Sequence, residues 1–191
     1  MSVATLNRKD QITQTAQNLF AEKGYAATSM RDLAKAVGIE AASLYSHVGS
    51  KEELLRDICF GIANEFFGAT DFDETTNPLH RLELMIAGHV QVIIDHLDAS
   101  GVFYKEWRHL GEPYLTEFKV MRDRYEAQFR GIIEYGIELG YFKSGNPKLM
   151  TKLVLGTLNS IHEWYRPDGA TDPEKLSRDM SRYILQGIVK A

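Results

Sequence analysis

The stretch from Thr28 to Leu55, TSMRDLAKAVGIEAASLYSHVGSKEELL, constrains this chain more than any other. Thr28 and Ser29 are N-cap types, and Met30, Leu33, Ala34 and Val37 follow at the i, i+3, i+4, i+7 spacing of one buried helical face. Gly38 supplies the permissive backbone of a tight turn. A second short helix, about Glu40 to His47, turns Leu44 and Val48 inward and leaves Ala41, Ala42, Ser43, Ser46 and His47 outward. Two short amphipathic helices around such a turn are either a plain helical hairpin or a helix-turn-helix, whose second helix enters the major groove of DNA. Ser50, with Glu53 at the capping-box position, then opens a further helix whose first residue is Lys51.

Residues Ile12 to Leu55 closely resemble the N-terminal DNA-binding domain of the TetR family of bacterial repressors. The resemblance rests on Leu19-Phe20, Gly24-Tyr25, Thr28-Ser29, Ala34, Gly38, Leu44-Tyr45, His47 and Ser50-Lys51-Glu52. It implies phosphate contacts by Tyr45 and His47, with the start of the second helix, Thr28 to Arg31, gripping the strand across the groove. Packing of Tyr45 against the first helix is the alternative. Lys51, beside the first-turn amides of its helix, reads as a phosphate clamp or as a solvated lysine.

Base readout is sparse. Between Glu40 and Val48 there is no Arg, Lys, Asn or Gln, so bidentate pairing with guanine or adenine is unavailable from this helix. Ser43, Ser46, the methyls of Ala41 and Ala42, and Glu40 toward a cytosine amino group remain, with Arg31 or the arm Asn7 to Lys9 as further contributors. The sequence departs from the family pattern at Glu40, Ala42 and Val48, where a small capping residue, Gly and Phe are usual. Charge does not advertise nucleic acid either: residues 1–57 hold seven basic and seven acidic side chains, and the remainder 15 and 19, giving the net −4. The grip is therefore expected to be local and doubled by dimerisation.

All other signals are helical, so the expected fold is all-α: an N-terminal three-helix helix-turn-helix domain at 1–50 and a larger helical effector-binding and dimerisation domain at 51–191, about nine helices in total. The expected helices are Arg8 to Lys23, the two described above, Lys51 to Ala69, Leu79 to Ala99 broken by Gly101, Val102 to Leu110, Tyr114 to Leu139, Pro147 to Tyr165 and Pro173 to Val189. An acidic loop, DFDETTNP, separates the fourth from the fifth. The penultimate helix is apolar on nearly every side, and the last carries Leu176, Met180, Tyr183, Ile184, Gly187 and Ile188. A two-fold, four-helix interface would cover both faces and place two reading helices about 34 Å apart on a palindromic operator. A monomer with a fully buried penultimate helix is the alternative.

The middle of the chain is rich in large side chains, most of them core. The segments VFYKEWRHL, IIEYGIELGYF and LGTLNSIHEWYRPDG resemble the effector domain of FadR-like TetR regulators of fatty-acid and acyl-CoA degradation. That resemblance implies an acyl-CoA thioester as effector, with no permanent cofactor, and a pocket drawn from Phe66, Met85, His89, Phe103, Tyr104, Trp107, Arg108, Met121, Tyr125 and Trp164. A drug or aromatic compound, in a repressor of an efflux or detoxification gene, is the alternative effector. Arg108, Arg122 and Arg124 are candidates for an anionic head group or simply a solvated face.

An enzyme is not expected. Glu106-x-x-His109 has di-iron spacing but no second copy, His89 and His96 lack a third ligand, and there is no Gly-rich phosphate loop or G-x-S-x-G elbow. The single cysteine, Cys59, reads as a buried small residue in a reducing cytoplasm. The longest apolar stretch, Met85 to Ile94, contains Gly88, His89 and Gln91, so neither a signal peptide nor a membrane span is expected. The protein is accordingly expected in the bacterial cytoplasm, on the nucleoid when bound to DNA.

Overall fold

The computed structural model describes residues 7–69 and 77–190. Residues 1–6 and most of the acidic loop lie outside the described residues. Ten α-helical segments occur among the described residues: α1 Arg8–Lys23, α2 Met30–Val37, α3 Ala41–Tyr45, α4 Lys51–Gly68, α5 Pro78–Asp95, α6 Leu97–Glu106, α7 Tyr114–Glu138, α8 Pro147–Asn159, α9 Ile161–Trp164 and α10 Pro173–Ile188. A 3₁₀ turn, Trp107–His109, follows α6. No strand occurs among the described residues, only an isolated antiparallel bridge between Phe142 and Val189. The protein is all-α, and α8 with α9 is the expected eighth helix interrupted at Ser160.

Local chemistry fixes most of the starts. Asn7, Ser29, Asn77, Asn146 and Asp172 each accept a first-turn backbone N–H, and Pro78, Pro147 and Pro173 occupy the first turn of their helices. Gly38, at φ 77°, stops α2 in the left-handed region, and its N–H closes back onto the end of that helix. Three expectations are corrected. The helix from Leu79 breaks at His96 rather than at Gly101, which lies inside α6. The span Val102 to Leu110 is the end of α6 plus the 3₁₀ turn. The short helix begins at Ala41, and Glu40 makes no side-chain cap.

Two compact units form, and they divide the chain differently from the 1–50 and 51–191 division read from sequence. One comprises Met1–Ile62 with Asp98–Phe118, the other Ala63–Leu97 with Lys119–Ala191, so the boundary falls inside α4. In the first unit Ile12, Ala16 and Phe20 of α1 are buried, as are Leu33 and Ala34 of α2 and Leu44 and Val48 around α3. A second cluster there surrounds Phe118, whose ring meets Phe60, Phe103 and Trp107. Cys59 is buried, and desolvation with the nearby Glu106 carboxylate pushes its thiol up to about 12, leaving it unreactive.

In the second unit α5 buries Leu82, Met85, Ile86, His89, Val90 and Ile93 and packs against α8, α9 and α10. Phe142 is buried on Gly136, where a Cβ would collide with its ring, so glycine is required for that approach. Backbone bonds from Lys143 N–H to Ile188 O (2.8 Å) and from Lys190 N–H to Tyr141 O (3.0 Å) flank the bridge.

Candidate nucleic-acid interface and effector core

The first unit presents α3 with Ala42, Ser43, Tyr45, Ser46 and His47 exposed and Ala41 half-buried. Tyr45 is 55% exposed, so its ring does not serve as packing against α1. The Ser46 hydroxyl donates to Ser43 O (2.7 Å), leaving its lone pairs outward. Arg31 is exposed on the first turn of α2.

Thr28 and Ser29 have divided roles. Ser29 is the N-cap: its oxygen accepts from Asp32 N–H (3.2 Å), while the Asp32 carboxylate accepts from Ser29 N–H (2.9 Å). The Ser29 hydroxyl also donates to the Asp32 carboxylate, and that bond, with the one from Ser29 N–H, holds the Asp32 carboxyl below the usual carboxylate range. Thr28 is 1% exposed and its hydroxyl donates to Gly24 O (2.9 Å), so its side chain braces the α1–α2 turn. In the arm, Asn7 caps α1, while Arg8 bonds Gln11 and Lys9 pairs with Asp57 at 3.4 Å.

Lys51 differs most from its sequence reading. Its ammonium donates to Tyr25 O and Thr28 O, each at 2.9 Å, and lies 4.2 Å from the Tyr25 ring centroid. Two of its three donors thus staple the α1–α2 turn, leaving one for a phosphate. Lys51→Met is therefore expected to lower the stability of this unit by about 2 kcal/mol in chemical denaturation, as two charge-assisted, part-buried bonds to carbonyls are lost. Unchanged stability would remove the staple. Ser50 caps α4, accepting from Glu53 N–H (3.0 Å), but Glu53 reaches Gly49 N–H (2.8 Å) instead of closing the expected capping box.

The expected effector residues are divided between the two units. Phe103, Tyr104, Trp107 and Arg108 belong to the first unit, where the Arg108 guanidinium lies over the Trp107 ring, 4.6 Å from its centroid. Phe66, Met85, His89, Met121, Tyr125 and Trp164 belong to the second. There Phe66 stacks on His89 at 4.5 Å, with Tyr125 and Phe129 completing an aromatic box. His89 Nδ1 and the Tyr125 hydroxyl are 3.1 Å apart, and the Asn159 side chain also bonds the imidazole. Desolvation pulls His89 down to about 3, so it is neutral and can offer only uncharged hydrogen bonding. Met121 is half-buried. Trp164 does not join the box: it is 47% exposed and donates to Ser160 Oγ at 3.4 Å. Arg124 lies 5.4 Å from the Phe67 ring centroid, exposed beside the same core.

A separate open groove of about 730 Å³ runs between α5 and α10 over Leu79, Leu84, Ala87 and Leu185, and none of the expected effector residues lines it. Sequence reasoning missed Asn159, whose polar role needs the α5–α8 packing to be seen. No group of three or more His, Cys, Asp or Glu able to hold a metal occurs among the described residues, and Glu106 pairs with His109 at 3.4 Å. No described helix is long and apolar enough to cross a membrane.

Helix-turn-helix head and helical body are each matched by a known family. Residues 12–58 match the bacterial regulatory proteins of the tetR family, and residues 75–188 match tetracyclin repressor-like C-terminal domains. The chain belongs to the TetR family of DNA-binding transcriptional regulators. It is 30% identical over 192 residues to the HTH-type transcriptional repressor KstR2 of Mycobacterium tuberculosis, spanning 96% of this chain and 94% of that one. The solved structure of that ketosteroid transcriptional regulator superposes with a TM-score of 0.92 over 98% of each chain, at 28% identity. A fatty acid metabolism regulator protein of Bacillus subtilis is 23% identical, over 93% of this chain and 94% of that one. AibR, solved with isovaleryl coenzyme A and operator DNA, shares the fold at a TM-score of 0.81 and 22% identity, over 93% of this chain and 97% of that one.

Proposed function

We propose that this protein is a homodimeric repressor that reads a palindromic operator with α2 and α3 and is released by a hydrophobic effector, an acyl-CoA thioester. The observation that carries the effector class is the chemistry of the second unit's core. Among the described residues, His89 and Thr151 are this unit's polar residues that are buried as whole residues, no Asp, Glu, Lys or Arg is buried as a whole residue there, and His89 is neutral. A free carboxylate drawn into that aromatic box would be desolvated with no counter-charge, whereas a thioester carbonyl needs only a neutral donor. Exposed Arg122 and Arg124 supply cations outside the core for the phosphates of a coenzyme A tail. The relation to a fatty acid metabolism regulator and to the fold of AibR supports the same class.

The relation to KstR2 favours a second reading, a steroid-derived effector, because a fused ring system is also large, apolar and uncharged. In either case α4, whose residues belong to both units, is the lever: the effector favours a state in which the two reading helices lose operator spacing. Emptying a nearly full operator needs a differential affinity on the order of 5 kcal/mol.

Thermal unfolding against acyl-CoA thioesters of increasing length, with free acids, free CoA and a steroid ketone, tests the reading. A thioester at about 100 times its dissociation constant is expected to add roughly 2.7 kcal/mol of stability, with free acids and CoA inert. A shift with the steroid ketone alone selects the second reading. No shift with any of them removes both effector classes and leaves the DNA-binding assignment in place.

A further inference from the structure

We propose that His109, which ends the 3₁₀ turn after α6, is a positioning residue of the DNA-reading head that acts through the ring of Tyr25. The inference rests on the DNA-binding reading and names a second route into the head besides α4. Tyr25 sits in the turn between α1 and α2, and three elements hold it. Phe20 of α1 meets its ring edge-on at 5.2 Å and 73°. Lys51 of α4 takes both its carbonyl and its ring. The His109 imidazole stacks on it at 5.2 Å and 29°, from 84 residues further along the chain.

Two further contacts tie the same short segment to the head. Gly111 N–H donates to Glu52 Oε1 on the first turn of α4 (2.8 Å), and the Glu106 carboxylate, paired with His109, lies where a Cβ on Gly24 would be 3.5 Å away. The segment 106–111 therefore clasps the α1–α2 turn. That turn sets α2 directly. Tyr25 O accepts from Thr28 N–H (3.2 Å), and the next residue, Ser29, is the N-cap of α2. A displacement of the 3₁₀ turn is delivered through the stacked rings to the start of α2. Simple burial does not call for this pairing, since His109 is half-exposed at its side chain and an aliphatic residue would cover Tyr25 equally well.

The test uses the full chain grown with 5-fluorotryptophan and the duplex that the protein itself selects from a random pool. The chain has two tryptophans, and Trp107 shares the 3₁₀ turn with His109, so its ¹⁹F line reports that turn once assigned with Trp107→Phe. Addition of the duplex is expected to move the Trp107 line in the parent and in His109→Phe, which keeps a stacking ring, but not in His109→Ala. The alanine variant is expected to bind the duplex about fivefold more weakly, the equilibrium factor of one lost aromatic pair. The proposal is overturned if His109→Ala keeps the Trp107 response, whatever its affinity or melting point, or if His109→Phe fails to restore it. Failure to select any duplex with the parent protein overturns the DNA-binding reading first, and is seen before any variant is made.

Discussion

Replacing Leu153 with glutamate is expected to leave a folded monomer whose affinity for a selected operator duplex is lower by roughly 100-fold or more, the avidity lost when two linked heads become one. Leu153 is 63% exposed on α8, one turn from the exposed Leu149 and Gly156. On α10, which packs beside α8, Tyr183 is 64% exposed, near the half-buried Met180 and exposed Gly187. Apolar side chains gathered on two neighbouring helices are the surface that the proposed two-fold contact would cover. Burying one leucine is worth about 2 kcal/mol, and a two-fold contact counts every substitution twice. Because Leu153 adds little to its own unit's core, the charge penalises association and spares folding. Light scattering gives the mass and fluorescence anisotropy the affinity. A dimeric, tightly binding Leu153→Glu would move the interface elsewhere and undo the four-helix account.

The second large effect is on acid stability. His89 holds its neutral form down to about pH 3 in the folded protein, while the unfolded chain protonates it near its ordinary value of 6.5. Below about pH 6.5 the unfolded state therefore binds the extra proton, so the stability carried by neutral His89 is intact above 6.5 and drains as pH falls toward 3. At about 1.4 kcal/mol per pH unit, the loss between pH 6.5 and 5 is roughly 2 kcal/mol. Urea unfolding at those two pH values checks it against His89→Leu, which fills the aromatic box without a titrating group. The leucine variant is expected to lose less stability over that interval by about that amount. Equal losses would mean that His89 finds a proton-accepting arrangement in the folded core.

What the sequence disclosed was what local chemistry controls. Ends of α1, α2 and α10 follow from Asn7, Ser29, Gly38 and Asp172 with Pro173, because a cap is settled by a few adjacent residues. The α5–α6 break at His96 was misplaced because glycine inside a helix is a tolerable cost, and packing retained Gly101 within α6. Ser160 interrupts the penultimate helix, although the nearest glycine, Gly156, lies a turn earlier and inside α8. Lys51 was assigned outward because a lysine after an N-cap reads as surface, and only the folded turn shows two carbonyls within its reach. The same limit hid the Tyr25–His109 stack and the Asn159 bond to His89, pairings that no periodicity encodes. Trp164 entered the effector set through the resemblance to FadR-like regulators, and its side chain is half-exposed in the fold.

The plainness of α3 has an engineering consequence. The exposed surface of Ala42, Ser43 and Ser46 offers few groups able to make strong base contacts that a redesign would first have to erase. Reprogramming is then a matter of addition: an arginine or asparagine grafted at Ala42 gives a reader a bidentate donor against guanine or adenine, a gain of about 1–3 kcal/mol per matched base. A repressor of this kind is a scaffold for orthogonal genetic switches, in which new operators are acquired by writing on an almost empty page.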